Sequence, residues 1–117
     1  MKLLDTELRI MELLWKKGDL SAKQICEALG ESIGWNKNTT YTLIKRCIEK
    51  GAIERHEPHF ICHAVIDRRQ AQDSMMDDMI EKLFDGSADA VVAALLERKK
   101  LSAEEIERLR QLIEEME

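Results

Sequence analysis

A mainly α fold with one small β-hairpin is what this 117-residue chain predicts. Three observations predict it. Apolar residues recur at helical spacing in six separate stretches. Two short strand-like runs, residues 52–55 and 60–65, flank the turn-like segment His56-Glu57-Pro58-His59. Composition agrees, with 35% charged residues, 4% aromatics and one proline.

The first helix is expected between Asp5 and Lys16. Leu8, Met11, Leu14 and Trp15 form one stripe, with Ile10 and Leu13 flanking it. Gly18-Asp19 reads as a turn. Ser21-Ala22-Lys23-Gln24 is a capping-box pattern that opens a short second helix with Ile25, Cys26 and Leu29 inward. Gly30 is expected to end it, and a brief loop through Gly34 leads on.

The third helix is the most informative part of the chain. Thr40, Leu43, Ile44 and Cys47 fall at i, i+3, i+4 and i+7 and can be buried together. Asn38, Tyr41, Thr42 and Lys45 repeat that spacing on another face, with Arg46 beside them. Amide, phenol, hydroxyl and cationic groups suit base edges and phosphates. Asn36 or Asn38 can cap its start, Lys50 stands in the last turn, and Gly51 can close it in a left-handed conformation. Short helix, turn and longer helix give helix-turn-helix spacing. With a two-stranded wing behind them, they predict a winged helix-turn-helix domain over residues 1–66.

From residue 67 the pattern is wholly helical, and a three-helix dimerisation segment is expected over 67–117. Met75, Met79 and Leu83 mark its first helix, and Gly86 breaks it. Ser87 caps a second, carrying Val91, Val92, Leu95 and Leu96. Ser102-x-x-Glu105 caps a third, carrying Ile106, Leu109 and Ile113. A segment of about 50 residues rarely buries enough area to stand alone, so a symmetric partner is expected.

Net charge is −5, which on its face disfavours nucleic acid. The distribution answers this. Residues 1–70 hold 12 Lys and Arg against 10 Asp and Glu, net +2, and residues 71–117 hold 6 against 13, net −7. Between Ser32 and Lys50 the cations Lys37, Lys45, Arg46 and Lys50 are offset only by Glu49. A local positive surface binds phosphate while a distant acidic segment keeps the chain soluble.

Other functions find little in the sequence. There is no phosphate loop and no nucleophile motif with a partner base, so the chain is read as no enzyme, with no cofactor. His56, His59, Cys62 and His63 invite a metal. Strand geometry separates His59 from His63 and turns Cys62 away, and His56 with His59 across the turn gives two ligands rather than a closed site. The histidines are better placed near phosphate. Three cysteines, no signal-peptide pattern and no long apolar run point to reduced thiols in a cytoplasm, away from membranes.

The residues Glu7, Ile10-Met11, Leu14-Trp15, Ser21-Ala22, Ile25, Leu29 and Trp35 resemble the penicillinase repressor family (BlaI/MecI/CopY type). So do Thr39, Thr42-Leu43-Ile44, Arg46, Lys50-Gly51, Ile53 and the segment Leu101–Glu107. The resemblance implies a dimeric bacterial repressor bound to inverted repeats in the promoters of resistance or metal-homeostasis genes. The chain departs from the pattern in places. Leu8 stands where many members carry Trp, and Asn38 where many carry Lys. Ala94-Leu95 stands where β-lactam-responsive members carry a cleaved Asn-Phe bond. The paired Cys-x-Cys motifs of the copper-responsive branch are missing.

The expectation is therefore a homodimeric repressor on double-stranded DNA. Lys37, Asn38, Thr39, Tyr41, Thr42, Lys45, Arg46, His56 and His59 are its candidate contacts. Arg46 either anchors phosphate or braces the fold through an acidic neighbour. A regulatory protease and a small-molecule inducer are both left open. Two other readings stand beside it: a winged helix used as a protein-interaction module, and a small-molecule-responsive regulator with an inter-domain pocket.

Overall fold

The computed structural model of the chain describes residues 1–116. The elements run α1 (Asp5–Lys17), β1 (Leu20–Ser21), α2 (Ala22–Ile33), α3 (Lys37–Glu49), β2 (Ile53–His56), β3 (Ile61–Ala64), α4 (Arg68–Leu83), α5 (Ala88–Glu97) and α6 (Ala103–Glu115). The chain divides into two compact units, residues 1–76 and 77–117. Asp67 and the first half of α4, as far as Met76, fall in the first unit. Ala71 is buried in that unit's core, and Ser74 Oγ donates to the Met1 carbonyl at 2.8 Å.

In the first unit, α1, α2 and α3 pack around one core of Ile10, Met11, Leu14, Ile25, Leu29, Leu43, Ile44 and Cys47, closed by Ile53 and Cys62 from the sheet. Each fully buried aliphatic side chain contributes on the order of 2 kcal/mol. The buried face of α1 is Glu7, Ile10, Met11 and Leu14. Ile10 is therefore central, while the expected stripe members Leu8 and Trp15 are only half-buried. Trp15 spans the edge of the core, and its indole N–H donates to the Ile66 carbonyl at 2.9 Å.

The expected capping box opens α2: Gln24 N donates to Ser21 Oγ at 3.1 Å, and Ser21 N donates to Gln24 Oε1 at 2.8 Å. Gly30 does not end this helix. The helix runs on to Ile33 and stops at Gly34, whose φ of +75° is the left-handed conformation that glycine adopts without a Cβ penalty.

The sheet is antiparallel in the order β1-β3-β2. Arg55 faces Cys62 and His56 faces Ile61 across the hairpin, and Leu20 faces Cys62 from the other side. Sequence pattern predicts the hairpin but not β1, which is two residues long and too short to display a strand's alternation. At the turn, His59 and Phe60 have φ of +73° and +50°, unusual for residues with side chains.

Asp67 and Gln70 exchange hydrogen bonds at the start of α4. In the second unit Ser87 caps α5 and Ser102 caps α6, the latter through a reciprocal box with Glu105. Among the described residues, neither α5 nor α6 has a buried side chain. No helix among them is long and apolar enough to cross a membrane.

Candidate nucleic-acid interface

The site is built on α3. Of the two asparagines able to cap it, Asn36 does so, its Oδ1 accepting from Thr39 N at 2.8 Å. That leaves Asn38 exposed on the first turn. Thr40, Leu43, Ile44 and Cys47 are buried as their spacing requires. Burying them turns Lys37, Asn38, Thr39, Thr42, Lys45 and Arg46 outward, and all six are exposed. Asn38, Thr39, Thr42, Leu43 and Arg46 line one shallow groove. Thr42 Oγ1 donates to the Asn38 carbonyl at 2.9 Å, so its hydroxyl proton is used inside the helix. Thr42 therefore offers a methyl group and acceptor lone pairs.

Tyr41 is placed differently from its neighbours. It is half-buried, and its ring meets Phe60 of the wing edge-on, with centroids 5.9 Å apart. Lys37 Nζ lies 5.8 Å from the Tyr41 centroid. The Arg55 guanidinium stacks 3.6 Å from the Phe60 centroid. Arg55 Nε donates to Glu57 Oε1 at 2.5 Å, and Phe60 N donates to Glu57 Oε2 at 3.2 Å. These bonds from Arg55 and from the Phe60 backbone hold the Glu57 carboxyl below its ordinary range.

Lys50 leaves the expected cationic surface. Its Nζ donates to Glu7 Oε1 at 2.5 Å and to the Lys2 carbonyl at 2.8 Å. Glu7 is fully buried, and Leu4 N also donates to its Oε1, at 2.7 Å. Burial pushes the Glu7 carboxyl up, but the bonds from Lys50 and Leu4 and the nearby charges of Lys50 and Arg46 hold it below its ordinary value. The brace to an acidic neighbour thus belongs to Lys50, and Arg46 stays on the groove.

The wing histidines are exposed. His56 meets His63 on the adjacent strand, ring centroids 6.0 Å apart, rather than His59 across the turn. His63 Nδ1 lies 2.8 Å from Asp19 Oδ1. Among the described residues, no group of three or more His, Cys, Asp or Glu side chains is arranged to hold a metal ion. All three cysteines are free. Burial pushes the Cys47 thiol up to about 12 and the Cys62 thiol up to about 11, so neither is a thiolate near neutral pH.

The residues expected to pair two copies lie largely in the second unit. Val92, Leu96, Ile106, Leu109 and Ile113 line an open apolar groove of about 360 Å³ between α5 and α6. Leu95 and Leu83 are exposed, the latter by 75%, while Met79 and Val91 are half-buried. Met75, exposed on α4, falls in the first unit.

Sequence pattern does not single out two residues of the site, Arg55 and Phe60. Their signal is a cation and an aromatic ring flanking a four-residue turn, but only the folded hairpin brings them face to face.

The chain is 28% identical over 113 residues to the penicillinase repressor of Bacillus licheniformis, covering 95% of this chain and 88% of that protein. It is 28% identical over 109 residues to the methicillin resistance regulatory protein MecI of Mammaliicoccus sciuri, covering 92% and 89%. The solution structure of the monomeric form of Bacillus licheniformis BlaI in complex with the blaP half-operator matches with a TM-score of 0.51 and 27% identity, over 58% of this chain and 85% of that one. The sequence pattern of the penicillinase repressor family matches residues 3–115, and the chain belongs to that family.

Proposed function

We propose that this protein is a DNA-binding transcriptional repressor that acts as a homodimer on an operator with dyad symmetry. The observation that carries the reading is the outward face of α3. Asn38, Thr39, Thr42, Lys45 and Arg46 stand together on a helix whose other face is locked into the core, beside a wing that can reach the backbone. Base edges are read by such amide and hydroxyl groups, and phosphates by the cations. A BlaI chain of the same fold is solved on a half-operator. One recognition helix reads too few base pairs to find a site in a genome, and two helices about 34 Å apart multiply the discrimination.

The second unit supports pairing. Its apolar groove and exposed leucines leave α5 and α6 without a buried face, and a second copy supplies the missing cover. Repression then follows from occupancy of promoter DNA.

Selection of sites from a random duplex pool with the purified protein tests this. Enrichment of an inverted repeat with fixed spacing is the expected result. No enrichment from folded protein at low salt overturns the reading in favour of a protein-interaction module.

A further inference from the structure

The contacts that join wing to recognition helix do more than close the fold. A cation, two rings, a second cation and a carboxylate follow one another from Lys37 through Tyr41 and Phe60 to Arg55 and Glu57. Arg55 is the cation on the wing side. Stacking on Phe60 and the Nε bond to Glu57 fix the plane of its guanidinium, yet 47% of its side chain stays exposed. A guanidinium has five donors, and the bond to Glu57 is made at Nε. A planar cation held in place with donors to spare is suited to a phosphate.

From this we infer that Arg55 is a DNA phosphate ligand, held ready by Phe60, and that the Phe60–Tyr41 contact ties its grip to the recognition helix. The inference rests on the DNA-binding reading above. Phosphate rather than a base is the partner, because Arg55 lies on the wing while the groove-facing amides and hydroxyls lie on α3. Phe60 is a positioning residue. Its carbonyl accepts from Ala22 N at 2.9 Å, which fastens the turn to the start of α2 and holds the ring against both Tyr41 and Arg55. Ordering a side chain before binding removes part of the entropy cost of the contact.

The test uses the full chain and a random-sequence duplex, with affinity measured across a range of salt. Arg55→Ala is expected to weaken binding about tenfold at low salt. It is also expected to reduce the slope of log affinity against log salt by about 0.9, one phosphate's share. Arg55→Gln, which keeps length without charge, gives the same loss and guards against a folding defect in the alanine variant. Arg55→Lys keeps the slope. A wild-type slope in both neutral variants overturns the inference. Absence of salt-dependent binding by the wild-type chain instead overturns the DNA-binding reading itself.

Discussion

Glu7 is a carboxylate in a core position. It lies three, four and seven residues before Ile10, Met11 and Leu14, so it belongs to the buried stripe of α1. An apolar-only template skips it, starts at Leu8 and leaves Ile10 at the flank. Its partner Lys50 is 43 residues away, beyond the reach of local pattern. Removing Lys50 strands the charge of the buried Glu7 carboxylate, so Lys50→Ala is expected to cost about 3 kcal/mol in urea unfolding. A loss under about 1 kcal/mol would show that the pair is dispensable. The pair also sets a pH dependence. The folded carboxyl titrates below the ordinary value of 4.5. Its contribution is complete above that value and is lost as pH falls through the lower folded one. Thermal stability is expected to fall more steeply as pH drops below 4.5 in the wild type than in Glu7→Gln.

Among the elements, α3 is the most legible in sequence, because its buried and exposed faces both follow from spacing within thirteen residues. The end of α2 is not. Gly30 and Gly34 are the same residue type, and only the second takes a positive φ. A Cβ at Gly30 would meet the Trp35 carbonyl at 3.6 Å, an ordinary contact that leaves the helix intact. The outward face of α3 makes its own prediction. Asn38 and Thr42 are exposed and lie away from the core. Asn38→Ala and Thr42→Ala are expected to relax site preference by about 1–3 kcal/mol per contacted base pair. Unfolding temperatures should stay close to that of the wild type. Unchanged selected sites in both variants would contradict the assignment of this face.

At the scale of the molecule, charge is divided between two ends of the sequence. Residues 1–70 carry the positive balance, and residues 71–117 carry the acidic one. The expectation of a partner arises in sequence because short amphipathic helices rarely bury their stripes alone. Which residues meet in the groove is not, since that depends on packing. Ile113, 61% exposed, lies on its rim. Ile113→Asp is expected to yield monomers in sedimentation and to lower affinity for a two-half-site operator about a hundredfold or more. Full affinity from a proven monomer would sink the dyad reading. The junction of helix and wing also carries a practical consequence. Tyr41 is the chain's single tyrosine. Its ring protons are therefore free of overlap from any other tyrosine in a nuclear magnetic resonance spectrum. The molecule carries a native reporter at the seam, and docking of the wing can be followed without a label.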